Sequence, residues 1–599
     1  MTLQSDPKIY TNPIIHEDYS DPDAIAVGDD FYMVASSFAH VPGLPLLHST
    51  DLVHWKLIHY ILPKLEFLEG SSDYDQPRHG EGVWAPSLRY QNGRFWVFFS
   101  TPDEGVFMCS AEQPTGPWTA PHMLKKVKGW IDPCPFWDED GQAYLVHAFA
   151  HSRSGIRSKL QMFRMSADGR ELLGEGQIVY DGGSVHPVME GPKCYKREGK
   201  YYLFAPAGGV SHGWQVVLRA DHIFGPYEDR IVLQQGNSEV NGPHQGSWVE
   251  TSTGESWFLH FQDKYAYGRI THLQPMQWDN GWPIIGQYQQ GQTAGEPVSQ
   301  WRMPVTHNKN NPANEHSSED QASNITSMQP YSLYKEQIQL LDGATQTFGS
   351  QWQWQANPQP DWYATDDEHQ ELRLYACPFV SREVGLPDKA VLYNAPQLLL
   401  QKLPSSHFTA TTRLQIAPKS VTEKFGLTVF GRTYTYLAIE QNEDQHYRLS
   451  LTQGYSDQDA KGQALDHPIE EDIWQTYLHD LQVNPSQPHI SNPIYLRVSV
   501  WLDTKQVDHP APASTAREDQ IPVSILHAGL SQFSYSLDGS HFIDIPHIEP
   551  IHPGHWVGAK VGIFAVDLKK RIEPFELTSD DQDTIGYAEY STFFIEQQH

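Results

Sequence analysis

The chain has 599 residues, a formal net charge of −31 and an aromatic fraction of 12%. Its length suits two or more domains. Its acidic surface repels phosphate backbones and anionic lipids, so we expect neither nucleic acid nor a membrane as a partner. A neutral substrate is compatible with this charge, and the high aromatic content suits a site that stacks on sugar rings.

The N-terminal segment and the cysteines bear on the compartment. Met1–Tyr10 is polar and lacks the apolar core of a signal peptide, and no segment has the ~18 consecutive apolar residues of a membrane span, so we expect a cytoplasmic protein. The four cysteines lie far apart without a C-x-x-C pair, which predicts buried free thiols rather than a disulfide framework or a zinc site.

One plan of about 50–60 residues occurs five times between residues 20 and 260. In each copy, a position that we call the slot is followed eight residues later by a tight turn and then by an aromatic-rich strand. The slots hold Asp21, Trp84, Asp132, Glu190 and Gln245. Short strands separated by Gly, Asp, Asn and Pro turns predict a five-bladed β-propeller over residues 1–304, in which equivalent slots on the innermost strands face one axis.

The composition changes after the repeats. A polar stretch around His307–Pro312 predicts a linker over residues 305–335. Within residues 336–599, segments such as Phe408–Ile416 and Tyr495–Val500 alternate as half-buried strands without the repeat, which predicts a concanavalin-like β-sandwich as an accessory domain. The predicted fold class is therefore all-β, a five-bladed propeller followed by a β-sandwich.

Three of the five slots hold carboxylates: Asp21, Asp132 and Glu190. Hydrolysis of a glycosidic bond needs one acid to protonate the leaving oxygen and a second carboxylate to activate water or to attack. A third carboxylate nearby raises the pKa of the acid by like-charge repulsion. Each acid taken alone is also an ordinary turn residue, but three acids in register favour a glycosidase site.

Several motifs occur in the order found in glycoside hydrolase family 43, which the chain resembles over residues 9–304. Members of that family are five-bladed propellers that act on xylosides and arabinosides with inversion. The second domain also resembles the C-terminal β-sandwich of the family's β-xylosidases through Phe533–Gly539 and Trp556–Phe564. The propeller motifs are Tyr19–Asp23, Gly82–Pro86, Trp130–Pro133, Glu190–Pro192 and Gly268–Arg269.

The resemblance gives the charged residues different roles. It implies that Asp21 is the general base that activates water and that Glu190 is the general acid. Asp132 matches the residue that raises the pKa of the acid and orients it. Arg269 matches an arginine that hydrogen-bonds the sugar in the −1 subsite, although a structural ion pair in the last blade would also account for it.

Aromatic residues are expected to provide the sugar platform. Trp84 fills the slot where the family has a pocket residue, and Phe38 resembles the family's pocket-wall phenylalanine. Trp214 follows a Gly-rich loop and is a candidate for the leaving-group subsite, with core packing as the equally compatible alternative.

His244 stands one residue before the fifth slot. Some family members hold calcium or another cation near a histidine at this place, in a Gly-His-Gly sequence where this chain has Pro243-His244-Gln245-Gly246. The resemblance therefore makes His244 a candidate substrate-binding residue and a candidate ligand of a structural Ca²⁺. A lone imidazole would need mostly water around a hard cation, and no cofactor is expected to be required for the chemistry.

The resemblance implies an inverting exo-glycosidase that releases terminal xylose from β-1,4-xylo-oligosaccharides. An α-L-arabinofuranosidase or a bifunctional enzyme is a close alternative, and a non-catalytic carbohydrate-binding propeller would keep the aromatics without needing three acids. Gly209–Gly213 also fits the G-x-S-x-G pattern of serine hydrolases, but that motif needs a strand–turn–helix context, which an all-β sequence does not offer.

Overall fold

The architecture is that of two β-domains. The structure is a computed structural model that describes residues 8–68, 73–288, 292, 294–306, 338–339, 345–346, 349–366, 371–380, 390–459, 462–478, 492–502, 529–571 and 584–597. Most of the predicted linker, residues 307–335, lies outside these ranges. Within them the only α-helix is His151–Ser154, and no helix there is long and apolar enough to cross a membrane. The 3₁₀ turns are Asp73–Asp75, Tyr265–Tyr267, Pro360–Trp362 and Leu392–Asn394.

Five antiparallel four-stranded sheets form the predicted five-bladed propeller. Each blade consists of four strands that follow one another directly in sequence, because tight turns join neighbouring strands. From the axis outward, the strands are Asp23–Val27, Asp30–Val34, Gly43–Ser49 and Lys56–Leu62 in blade 1; Ser87–Gln91, Arg94–Thr101, Gly105–Ala111 and His122–Lys126 in blade 2; Trp130–Trp137, Ala143–Phe149, Lys159–Met165 and Leu172–Asp181 in blade 3; Lys193–Arg197, Lys200–Ala207, Trp214–Ala220 and Glu228–Gln234 in blade 4; His244–Glu250, Ser256–Asp263, Arg269–Asp279 and Trp282–Ile285 in blade 5.

Hydrogen bonds between the innermost strands join successive blades around the axis. Asp23 of blade 1 accepts the Leu88 amide of blade 2 at 2.7 Å, and Ser247 of blade 5 accepts the Ala24 amide of blade 1 at 2.8 Å. The remaining contacts in the ring are Arg89 Nη2 to Cys134 Sγ (2.9 Å), Cys194 N to Cys134 Sγ (3.3 Å) and Trp248 N to the Tyr195 hydroxyl (3.1 Å). Polar groups buried at the axis thus find partners on the next blade.

The propeller is closed by its N-terminal segment, which is bound to blade 5. Ile9–Thr11 pairs antiparallel with Gln300–Arg302. The Tyr10 hydroxyl donates to the Leu273 carbonyl at 2.8 Å, and the Asn12 side chain donates to the same carbonyl at 2.8 Å. The first and last parts of the propeller are therefore joined without exchange of a strand between blades.

The second domain is the predicted β-sandwich, with two large sheets. In one sheet the strand order is Gln353–Trp354, Leu399–Lys402, Lys560–Arg571, Glu423–Phe430, Thr433–Gln441, Tyr447–Tyr455 and Ile469–Tyr477, with Pro378–Val380 parallel to Lys560–Arg571. In the other it is Tyr363–Asp366, Glu371–Tyr375, Tyr587–Gln597, Phe408–Ala417, Ile494–Leu502, Gly529–Ser536 and Ile543–Ile551. A separate short pair joins Ile338–Gln339 to Thr345–Gln346.

One hydrophobic core runs from blades 1 and 2 into the sandwich without a break. At the junction, Val41 of blade 1 exchanges backbone hydrogen bonds with Trp354, and the Asn357 side chain bonds to both the amide and the carbonyl of Leu65. The Tyr267 hydroxyl donates to the Ser406 carbonyl at 2.9 Å. The sandwich is thus fixed on the rim of the propeller by polar as well as apolar contacts.

Two expectations from the sequence are confirmed at this level. Cys109, Cys134, Cys194 and Cys377 are free and buried. Gly209–Gly213 joins the antiparallel strands Lys200–Ala207 and Trp214–Ala220 rather than leading into a helix, so its match to the serine hydrolase motif is fortuitous.

Burial in this fold lowers the pKa of several histidines, because desolvation disfavours the imidazolium. The histidines whose pKa falls to about 4 are His16, His59, His79, His147 and His260. In the unfolded chain their pKa returns to about 6.5. Since the unfolded state binds protons first, the free energy of unfolding is lost as the pH falls from 6.5 towards 4.

We therefore expect the melting temperature to fall steeply between pH 6.5 and pH 4, measured by circular dichroism. His260→Gln replaces a buried ring, hydrogen-bonded to Gln274, with a group that does not titrate, so it should make this dependence shallower. His446→Gln is the matched control, since His446 is exposed. An unchanged pH dependence in the His260 variant would mean that the buried ring of His260 does not contribute to the loss of stability at low pH.

Candidate active site

The slots lie where the innermost strands begin, as the spacing predicts. Asp132 is in the first strand of blade 3, and Asp21 and Glu190 come two and three residues before those of blades 1 and 4. Asp21 and Asp132 both have φ of 56°, in the left-handed region that non-glycine residues rarely occupy. Asp132 also sits where the pairing register shifts; such irregularities re-aim a side chain.

Asp21 is a buried carboxylate with two polar partners. Its Oδ2 accepts the Ser36 hydroxyl at 2.5 Å, and its Oδ1 lies 3.5 Å from Nη1 of Arg269. The residue that matches the base is thus held beside a cation.

Glu190 lies in a different environment. Its Oε1 is 2.8 Å from Nε2 of His244, and its side chain keeps 22% exposure. Desolvation and the negative charge of Asp21 raise the pKa of Glu190 to about 7, whereas Arg269 opposes the rise. Near neutral pH this carboxyl can therefore carry a proton and release it.

Asp132 holds the backbone next to Glu190. Its Oδ2 accepts the Gly191 amide at 2.7 Å. Burial first, and then the charges of Glu190 and Asp21, raise the pKa of Asp132 well above its ordinary value. Gly191 has φ of 58°, and a Cβ there would lie 2.9 Å from the Gln245 side chain. The backbone beside Glu190, the fourth slot, is therefore held in place by Asp132 of the third slot and Gln245 of the fifth.

Arg269 begins the third strand of blade 5 and brings a cation to the acids. Its guanidinium lies 5.0 Å from the centre of the Phe261 ring, and its backbone amide donates to Asp18 at 2.8 Å. Its ion pair with Asp21 is observed, and its hydrogen bond to a sugar stays a prediction that this ion pair does not contradict.

Aromatic rings continue from Arg269 around the site. The Arg269 Cζ lies 5.8 Å from the ring of Trp556, which meets Trp84 edge to face at 6.1 Å, and Trp84 lies 6.3 Å from Phe38. Arg153 stacks on Trp84 at 5.4 Å. Trp84 and Phe38 are thus neighbours in one aromatic wall, and their contact with a sugar stays a prediction.

Trp556 is a site residue that the sequence did not reveal. It belongs to the sandwich, is 41% exposed and has φ of 63°. Its segment carried the resemblance of the second domain, but nothing in one sequence indicates that a residue 472 positions after Trp84 meets it. The one signal in the sequence was a tryptophan between two glycines, Gly554 and Gly558.

Trp214 and His244 have contrasting surroundings. The indole of Trp214 donates to Nδ1 of His186 at 3.3 Å and packs against the core of blades 3 and 4, so its leaving-group role stays a prediction. His244 is fully buried and contacts the acid directly.

The calcium prediction finds limited support around His244. Nε2 of this residue is occupied by Glu190, and the described part of the chain has no group of three or more His, Cys, Asp or Glu placed to hold a metal. Hard cations prefer several oxygen ligands. The side chains therefore do not form a cage for Ca²⁺, and a water-held cation stays a prediction.

Comparisons with known proteins agree with this geometry. Residues 10–283 match the family model for glycosyl hydrolases family 43, and residues 344–574 match that for the β-xylosidase C-terminal concanavalin A-like domain. A protein of Xylanibacter ruminicola named as a candidate β-xylosidase is 42% identical over 407 residues, 68% of each chain. A β-xylosidase of Formosa agariphila is 27% identical over 94% of this chain and 88% of its own.

A solved structure shares the two-domain fold. The xylan β-1,4-xylosidase of Bacillus halodurans C-125 superposes with a TM-score of 0.72 and 21% identity, over 98% of this chain and 100% of its own. The in-register acids, the propeller with its sandwich and the relative of 42% identity lead to one conclusion: the chain is a glycoside hydrolase and belongs to glycosyl hydrolase family 43.

Proposed function

We propose that this glycoside hydrolase is an inverting exo-enzyme that removes terminal xylose from short β-1,4-xylo-oligosaccharides. The observation that carries the proposal is the contrast between two carboxyls at one axis. Asp21 is paired with Arg269, whereas the pKa of Glu190 is raised to about 7. One carboxyl beside a cation and a second that can carry a proton near neutral pH are what acid–base hydrolysis of a glycoside needs.

Asp21 would act on the water. As an anion it can accept a proton from a water molecule while that water attacks the anomeric carbon. Ser36 and Arg269 fix the carboxylate. The same arginine would donate hydrogen bonds to hydroxyls of the sugar in the −1 subsite.

Glu190 would act on the leaving group. Its proton passes to the glycosidic oxygen as the bond to the anomeric carbon breaks, and the ionised carboxylate is then stabilised by His244 and Arg269. Asp132 fixes the backbone that carries the acid by accepting the Gly191 amide. No step requires a metal.

The aromatic wall supports an exo mode of action on short chains. Trp84 and Phe38 come from the propeller, and Trp556 of the sandwich meets Trp84 edge to face, where it would form a barrier on one side of the acids. A barrier on one side favours binding of a chain end over the middle of a polymer. The names of the relatives support xylose as the terminal sugar. A cytoplasmic location fits short, imported oligosaccharides and stays a prediction.

Replacing the acid tests whether the propeller is an enzyme or a carbohydrate-binding module. Glu190→Gln should lower kcat on xylobiose by about 10²–10⁴-fold, because general acid catalysis contributes that much, while xylobiose binding measured by calorimetry persists. Glu198→Gln, on an exposed turn of the same blade, should leave kcat unchanged. Sugar binding by a parent protein without turnover would favour the binding module.

The sugar preference is tested with two aryl glycosides. We expect the parent enzyme to have a higher kcat/KM on aryl β-xyloside than on aryl α-L-arabinofuranoside. Comparable values would indicate a bifunctional enzyme, and a much higher arabinofuranoside value would overturn the xylose assignment. In ¹H NMR, the first sugar formed from the β-xyloside should be α-xylose, whereas β-xylose would contradict inversion.

Asp132→Asn tests the electrostatic role of Asp132. In the parent, kcat/KM should fall as the pH rises through about 7, because Glu190 loses its proton. The amide still accepts from Gly191. Because the raised pKa of Asp132 keeps its carboxyl protonated near neutral pH, the substitution removes no charge and the alkaline limb should stay near pH 7. Asp140→Asn, on an exposed turn, is the control. A limb moved to lower pH would mean that Asp132 is ionised in the parent and raises the pKa of Glu190 by its charge.

A further inference from the structure

A single buried carboxylate, Asp18, links the catalytic arginine to the sandwich loop that carries Trp556. Asp18 lies three residues before the base and is 5% exposed. Its Oδ1 accepts the backbone amide of Arg269 at 2.8 Å, and its Oδ2 accepts the backbone amide of Gly558 at 2.8 Å. Both acceptor atoms are thus used by backbone donors, one from each domain.

The three segments around Asp18 are packed at backbone contact. A Cβ on Gly558 would lie 2.7 Å from the amide nitrogen of Gly268, and a Cβ on Gly268 would lie 2.5 Å from Cγ of Asp18. The Ala559 amide also donates to the Ala266 carbonyl at 2.7 Å. No side chain can be placed between the loop and the propeller at this point, so the close approach of the two backbones and these hydrogen bonds hold the loop there together.

Charge at the interface agrees with this arrangement. The sandwich contributes Lys402 and Lys560, and desolvation lowers the pKa of both amines, whereas the negative charges of Glu17 and Asp18 raise it. The acidic residues of the propeller therefore face basic residues of the sandwich at the place where the loop docks.

We infer that Asp18 is a positioning residue that holds residues 554–558 against the propeller, so that Trp556 covers the −1 pocket beside Arg269 and Trp84. Trp556 is exposed and has a left-handed backbone, so its own packing does not fix the loop. The kinetic part of this inference rests on the proposed glycosidase function. The structural part, protection of two amides by one carboxylate, is independent of the substrate.

Hydrogen–deuterium exchange tests the structural part. In Asp18→Asn the side-chain NH₂ group replaces one carboxylate oxygen and faces one of the two backbone N–H donors. That backbone N–H therefore loses its acceptor. Peptides covering residues 554–560 or 266–270 should therefore exchange at least tenfold faster than in the parent. Asn357→Ala removes side-chain hydrogen bonds at another part of the same interface and should leave both peptides unchanged. Equal exchange in parent and Asp18→Asn would overturn the inference.

Steady-state kinetics test the consequence for the pocket, with whichever aryl pentoside the parent cleaves. Asp18→Asn should raise KM by about five- to tenfold with kcat changed less than KM, which corresponds to a coupling of about 1 kcal/mol. In a Trp556→Ala background the same substitution should raise KM no more than about twofold. A KM effect of equal size in both backgrounds, or an equal effect of Asn357→Ala, would overturn the role through Trp556.

Gly558→Ala provides a second route if Asp18→Asn does not fold. The new methyl group collides with the backbone of Tyr267 and Gly268, so it displaces the loop while Asp18 is intact. The same rise in KM is expected, and an unchanged KM would count against the loop as a pocket wall. A parent that cleaves neither pentoside would refute the proposed function, while the exchange experiment would still decide whether Asp18 holds the loop.

Discussion

The site depends on the ring of hydrogen bonds that joins the innermost strands of the five blades. Asp23, Arg89, Cys134 and Tyr195 are buried or half-buried near the axis and find their partners on the next blade. Unpaired polar groups there would each cost about 1–3 kcal/mol, so the blades are held at defined rotations to one another. Because every slot lies at the start of an innermost strand, closure of this ring also fixes the distances between the catalytic carboxyls.

The same convergence gives similar side chains different chemistry. The axis brings three carboxyls together with few compensating cations, so desolvation and repulsion raise the pKa of Glu190 and Asp132. Arg269 approaches Asp21 most closely and breaks the symmetry between the acids. In the proposed mechanism, the division between a base and an acid therefore follows from where one cation enters, rather than from the type of residue at each slot.

The sequence predicts the propeller and its slots because a hairpin of fixed length separates each slot from the second strand of its blade. The spacing of eight residues thus places the five slots at equivalent positions on the innermost strands. It does not encode the left-handed backbone of Asp21 and Asp132, which depends on the packed axis. The partner of Trp214, His186, lies 28 positions earlier, so periodicity could not separate packing from substrate contact. Trp556 escaped prediction because only the docking of two domains brings it to Trp84.

That docking argues against a division of labour in which the propeller catalyses and the sandwich is an appendage. The two domains share one hydrophobic core, and the loop between Pro553 and Ala559 brings Trp556 to Trp84 and Arg269 of the propeller. Asp18 lies on the short stretch that leads to Asp21 and touches both the arginine and the loop. A change at the domain interface would therefore reach Arg269 over one or two hydrogen bonds, and in the proposed mechanism the two domains act as one catalytic unit.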